Sequence, residues 1–210
     1  MDLDFIQRLQ KRFEKGLPGR DFQYEMANDT RQLFKIRDAP ADARQACVMP
    51  LLCPNGNDWQ VVLILRAKME SDRHSGQISF AGGQLDATDA SLQACALREV
   101  WEEIGVPSEK INIIGQMTEI FIPVSNFRVF PFLGFCTEKI TFNAQETEVR
   151  GILTPNIYDF LNPHNKKIKD IRLNETTVLE GVPYFDIDGR VVWGATAMML
   201  AELAELIKTM

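Results

Sequence analysis

Two stretches decide how this chain is read: Gly82-Gly83-Gln84-Leu85-Asp86-Ala87-Thr88-Asp89, and then Ala96-Leu97-Arg98-Glu99-Val100-Trp101-Glu102-Glu103-Ile104-Gly105-Val106. The second has helical periodicity. From Ser91 to Ile104, Leu97, Val100, Trp101 and Ile104 recur at spacings of three and four and are expected to share a buried face. Gly105 and Pro107 form a normal C-terminal stop. On that helix Glu99 and Glu103 are four apart and Glu102 lies three from Glu99, so three carboxylates crowd one patch. Like charges at this spacing destabilise a helix, and its C-terminal partial negative charge worsens the repulsion. A hard divalent cation would remove the conflict, because Mg²⁺ prefers carboxylate and water oxygens. Arg98 is placed to pair with a neighbouring carboxylate and fix its rotamer.

Working outward, residues 2–15 read as an amphipathic helix built on Phe5, Leu9 and Phe13, stopped by Gly16-Leu17-Pro18-Gly19. Arg20 to Asp42 reads as an arm packed on the domain. Cys47 to Leu52 and Trp59 to Leu65 read as strands, joined as a hairpin by the turn-rich Pro54 to Asp58. A polar segment from Arg66 to Gln77 leads to a short strand, Ile78-Ser79-Phe80, with Phe80 expected in the core. Beyond the helix, strands are expected over Ile111–Gly115, Glu119–Val124 and Val129–Cys136, and Pro155 to Phe160 as a turn into a short helix. Ile168 to Asp170 is expected to begin a loop. Val191-Val192-Trp193-Gly194 precedes a final amphipathic helix, Ala195 to Ile207. The expected organisation is one α/β unit over residues 46–210, with residues 1–45 as a helix and arm packed on it.

The chain has 210 residues, 45% hydrophobic and 25% charged, the mixture of a globular domain. A formal net charge of −6 and a pI near 5.1 argue against sequence-independent nucleic-acid binding. They leave room for a small anionic substrate met through a metal ion. No apolar run reaches the roughly 18 residues of a membrane span. The N-terminus lacks a basic start and an apolar core, so the expected compartment is the cytoplasm. Cys47, Cys53, Cys95 and Cys136 contain no Cys-x-x-Cys pair and are expected to be reduced thiols, several of them buried.

Arg98-Glu99-Val100-x-Glu102-Glu103-x-Gly105-Val106 resembles the second half of the Nudix box, Gly-x5-Glu-x7-Arg-Glu-U-x-Glu-Glu-x-Gly-U, at every specified position. The first half departs: Gln84 and Ala90 stand where glycine and glutamate are usual. The loop resembles instead the Gly-Gly-x-x-Asp-x-x-Asp form of the coenzyme A pyrophosphatase branch, with Asp86 and Asp89 in the aspartate positions. That branch also has an upstream element similar to Asp72-Arg73-His74-Ser75-Gly76-Gln77-Ile78-Ser79-Phe80-Ala81-Gly82-Gly83, apart from Ala81 in place of proline. Val192-Trp193-Gly194-Ala195-Thr196-Ala197 is similar to it as well. The resemblance covers about Cys47 to Leu206.

It implies a Nudix-type α/β/α sandwich with a mixed β-sheet and flanking helices. It implies a pyrophosphohydrolase dependent on Mg²⁺ or Mn²⁺, with Glu99, Glu102, Glu103 and the Gly83 carbonyl as metal ligands. Glu102, Glu103 and the later-loop Glu148 are the catalytic candidates; Glu146, close to Glu148, is noted beside it. Arg66, Arg73 and His74 are candidates to hold phosphates, arginine by its planar fork. The implied substrate is coenzyme A or an acyl derivative, cut to (acyl-)phosphopantetheine and 3′,5′-ADP. The alternatives are another nucleoside diphosphate derivative, such as ADP-ribose or a dinucleotide, and a non-catalytic binding module. The module should have lost box carboxylates, and all three are present. The resemblance also implies a homodimer.

Overall fold

The computed structural model describes residues 3–32, 39–67 and 76–210. The N-terminal segment forms α1 (Leu3–Glu14), α2 (Arg20–Tyr24) and α3 (Asp29–Gln32). Then come β1 (Arg44–Met49), β2 (Leu51–Asn55), β3 (Asp58–Arg66), β4 (Ile78–Ser79), β5 (Ala81–Gln84) and α4 (Leu92–Ile104). They are followed by β6 (Asn112–Gln116), β7 (Ile120–Ile122), β8 (Phe127–Phe135) and β9 (Val149–Leu153). The chain ends with β10 (Lys166–Arg172), β11 (Val178–Ile187), β12 (Arg190–Trp193) and α5 (Gly194–Lys208).

The apolar run expected as one strand is split at Pro50. Proline offers no N–H to a ladder, and the chain changes partners there. β1 and β2 both run parallel to β8, in register Arg44↔Phe127 and Leu51↔Gly134. β1 then takes β5 antiparallel on its other edge, whereas β2 forms the expected hairpin with β3. β3 carries β4 and β9, and β6 and β7 run antiparallel to β8, giving a mixed sheet. β10, β11 and β12 form a separate antiparallel sheet. Ile168 to Asp170 therefore lies within a strand, not at the start of a loop. Its sequence, Lys166-Lys167-Ile168-Lys169-Asp170-Ile171-Arg172, is exposed on nearly every residue, so it lacks the alternation that reveals a half-buried strand.

Alternate strand residues feed opposite faces of the sheet. Trp59, Val61 and Leu63 enter one core with α1 and α5, while Val62 and Ile64 enter the other with α4. This two-sided burial gives the α/β/α sandwich. Phe5 of α1 stacks on Trp59 at 5.9 Å between centroids. Burying such a side chain contributes on the order of 2–3 kcal/mol. All four cysteines are buried free thiols. Among the described residues no helix is long and apolar enough to cross a membrane.

A polar knot fixes the N-terminal arm. Glu202 of α5 is 0% exposed, and its carboxylate accepts from Gly19 N–H at 3.2 Å, Gln23 Nε2 at 2.9 Å and Thr118 Oγ1 at 2.5 Å. Burial raises its pKa above the usual carboxylate range, against those hydrogen bonds. Replacing Glu202 with alanine removes the acceptor of three buried or half-buried donors, so Glu202→Ala should lower unfolding free energy by about 1–3 kcal/mol. Urea titration of both proteins checks this; an unchanged midpoint would show that the knot contributes nothing.

Candidate active site

α4 is framed by local signals. Ser91 caps its N-terminus, with Oγ accepting from Ala94 N–H at 3.1 Å. Gly105, left-handed at φ 69°, closes it. Its buried stripe is Cys95, Ala96, Val100, Glu103 and Ile104. The apolar face expected from periodicity is corrected at one position: Trp101 is 55% exposed, and Glu103 is turned inward at 2%. Ala96, Val100 and Glu103 follow the helical repeat, so admitting Glu103 rotates Trp101 out.

Glu103 lies beneath the glycine loop. One carboxylate oxygen accepts the Gly82 N–H at 2.8 Å, and the other stands 3.8 Å from Arg66 Nη1 at the end of β3. Burial pushes its pKa up to about 8, helped by the charges of Glu99 and Glu148 and opposed by Gly82 and Arg66. Glu99, whose side chain is 12% exposed, lies under Gly83. A Cβ at residue 83 would meet the Glu99 carboxylate at 2.5–2.6 Å and push that side chain aside, whereas at residue 82 it would run into the backbone of Cys47 and Val48, so glycine is required there. Burial raises the pKa of Glu99 as well, against the pull of Arg98.

Arg98 gathers the outer part of the site. It bonds Asp89 in a two-pronged fork, Nε to Oδ1 and Nη2 to Oδ2, each at 2.9 Å. Its Nη1 reaches Glu99 Oε1 and Glu102 Oε2, both at 2.8 Å. Hydrogen bonding from Arg98 holds the Asp89 pKa down at about 2. Asp86 instead accepts from the Thr88 N–H and hydroxyl at 2.8 and 2.7 Å, closing the loop turn. With Ala90 in place of the usual box glutamate, Asp89 is the loop carboxylate that pairs with Arg98.

The structure brings Glu99, Glu103, the Gly83 backbone and Arg66 together. Glu102 is set at the rim, its side chain 54% exposed. Glu148 is exposed on the loop before β9, and its charge acts on both Glu99 and Glu103. Arg73 and His74 lie outside the described residues. Phe80 is in the core at 1% exposure. Among the described residues no three His, Cys, Asp or Glu side chains stand as a ready-made metal cage. Arg98 draws Glu99 and Glu102 outward, while Glu103 is held by Gly82. The donor set nonetheless suits a hard divalent ion: carboxylate oxygens that burial and mutual repulsion make hard to ionise, beside a backbone carbonyl.

The glycine loop is part of the wall of a cavity of about 450 Å³. Met26, Val124, Leu179, Trp193 and Met199 give it apolar sides, and Arg66, Gly82 and Gly83 line it as well. Sequence reasoning missed the contribution of the arm: Met26, Ala27, Asn28 and Arg31 line this cavity. No periodicity or motif marks them.

A family profile described as the NUDIX domain matches residues 43–173. Proteins described as Nudix hydrolase NudL align with this chain. The one from Enterobacter sp. is 32% identical over 162 residues, covering 77% of this chain and 81% of its own. That from Yersinia enterocolitica is 28% identical over 162 residues, covering 77% and 80%. In fold, the chain is similar to the Nudix hydrolase RenU from M. smegmatis, at TM-score 0.55 and 13% identity over 80% of this chain and 88% of the other. It is also similar to a MutT/nudix family protein from Enterococcus faecalis, at TM-score 0.52 and 15% identity over 90% and 73%. The carboxylate helix under its glycine loop, the mixed sandwich and these alignments agree: the chain belongs to the Nudix hydrolase family.

Proposed function

We propose that this Nudix hydrolase cuts the diphosphate of coenzyme A or an acyl-coenzyme A, giving (acyl-)phosphopantetheine and 3′,5′-ADP. The observation that carries the reading is the placement of Glu99 and Glu103 under Gly82-Gly83, two glycines that line a cavity with apolar walls. A diphosphate at the loop leaves an aliphatic arm to lie along Met26, Val124 and Met199. The resemblance of the 72–83 element and the Asp86/Asp89 loop to the coenzyme A branch favours the same substrate.

Nudix hydrolases generally use divalent ions, and here Mg²⁺ or Mn²⁺ would be held by Glu99, Glu102, Glu103 and the Gly83 carbonyl. Such an ion neutralises phosphate charge and lowers the pKa of a bound water. The remaining work belongs to the chain. Arg66, in the cavity wall and 3.8 Å from Glu103, is the residue assigned to hold the diphosphate. Arg98, locked by Asp89, orients Glu99 and Glu102. Glu148, exposed and close enough to act on both inner glutamates, is the residue assigned to accept the proton of the attacking water. The apolar walls exclude bulk water from the rest of the substrate.

Product analysis with Mg²⁺ or Mn²⁺ on coenzyme A, ADP-ribose and a diadenosine polyphosphate tests this. Coenzyme A should release 3′,5′-ADP, and Glu103→Gln should lower kcat by about a hundredfold or more. Turnover of ADP-ribose alone would discard coenzyme A and keep the hydrolase.

A pH test follows from Glu103. The unfolded chain ionises this carboxyl near the ordinary value of about 4.3. The folded chain holds the proton up to about 8. The folded state therefore binds more protons between these values, and metal-free stability should fall as pH rises through them and level off above. Melting temperatures from pH 5 to 9 should show a shallower fall in Glu103→Gln. An identical slope in both proteins would contradict the buried ionisation.

A further inference from the structure

The cavity wall holds further polar groups beside Arg66 and the glycine loop. Among the buried side-chain atoms left without a hydrogen-bond partner are Arg31 Nε, Ser79 Oγ and Ser125 Oγ. All three residues line the same cavity, from three separate elements: α3, β4 and the turn after β7. A buried polar group without a partner is costly, and buried polar groups are normally satisfied. Three residues with such groups in the wall of one cavity point to a ligand that satisfies them. Each can donate, and one belongs to a cation, so the ligand group is rich in acceptor oxygens and negative.

Arg31 is held ready for that role. Its Nη2 donates to the Phe121 carbonyl at 3.2 Å, and its backbone N–H bonds to Asn28 Oδ1 at 3.1 Å. Gln32 Nε2 ties the same turn to the Tyr24 carbonyl at 2.5 Å, and the Gln23–Glu202 bond anchors the arm to α5. Among the described residues no carboxylate pairs with Arg31. Burial draws its pKa below the ordinary value, consistent with a charge lacking its counterion. Every carboxylate of the active site is instead engaged with Arg66, Arg98 or the glycine loop, or lies beside them.

We propose that Arg31, with Ser79 and Ser125, binds a phosphate monoester of the substrate that is distinct from the diphosphate being cut. This rests on the coenzyme A reading, in which that group is the 3′-phosphate of the adenosine. The N-terminal arm is then part of the substrate site, not a packing accessory. A guanidinium and two hydroxyls suit the oxygens of a phosphate.

The test is a matched pair of ligands, coenzyme A and dephospho-coenzyme A, which differ by that one phosphate. Binding is measured by calorimetry without divalent metal, on wild type, Arg31→Gln and Arg31→Lys. Wild type should bind coenzyme A more tightly. Arg31→Gln should weaken coenzyme A by about tenfold to a hundredfold, with a several-fold smaller effect on the dephospho ligand. Arg31→Lys should restore part of the difference. Equal losses for both ligands, no loss, or a wild type that does not distinguish them would each overturn the proposal. Ser125→Ala, in which the arm is untouched, should also narrow the preference; if it does not while Arg31→Gln weakens both ligands, Arg31 is only structural. Hydrolysis of either ligand would stand as a separate result, so this proposal can fail while the hydrolase reading holds.

Discussion

Two carboxylates on neighbouring turns of α4 are pressed beneath two glycines, and the rest of the site is arranged around that contact. Glu103 is 2% exposed and bonded to the Gly82 N–H, and Glu99 touches the space where a residue-83 Cβ would be. Burying a carboxylate costs several kcal/mol unless charge or hydrogen bonds compensate. Here compensation is partial: Arg66 stands 3.8 Å away, and the Glu103 pKa remains near 8. A fold that keeps such a group in a helix stripe, with Trp101 turned out to solvent, retains stored electrostatic cost at a defined place. A cation can relieve it.

Arg98 sets the geometry of that place. Its fork on Asp89, with its bonds to Glu99 and Glu102, makes four hydrogen bonds to three carboxylates from a single side chain. The loop turn closed by Asp86 and Thr88 presents Asp89 to the helix, so loop and helix are oriented by the same guanidinium. Position 90 is alanine, and the loop carboxylate that engages Arg98 is Asp89, one residue upstream. The sheet supplies the other half, with β1 against β5 placing Gly82 and Gly83 over α4.

The helix and its loop were legible because their signals are local: a serine cap, an αL glycine and a carboxylate spacing that makes sense only on one face. β3 was legible as a buried strand from its continuous apolar run, and the sandwich was an implication of the resemblance to the Nudix box. Trp101 was misread because hydrophobicity ranks it above Glu103, and only the requirement for a buried carboxylate reverses that order. β9 to β11 were missed because Val149–Leu153 is short and β10 is charged on both faces. The cavity was not legible at all. Arg31, Ser79 and Ser125 are isolated polar residues more than forty positions apart at each step, and only the fold shows that they line one cavity. Arg73 and His74, expected to hold phosphates, lie outside the described residues.

The central claim is that Glu99 and Glu103 form a site for a divalent ion. Calorimetric titration with Mn²⁺ above the Glu103 pKa, on wild type and on the Glu99→Gln/Glu103→Gln double variant, tests it without any substrate. Metal ligands must be deprotonated, so binding should be saturable, should release protons as the pH is lowered toward that pKa, and should vanish in the variant. Binding of equal affinity in the variant, or none in the wild type, would contradict the claim.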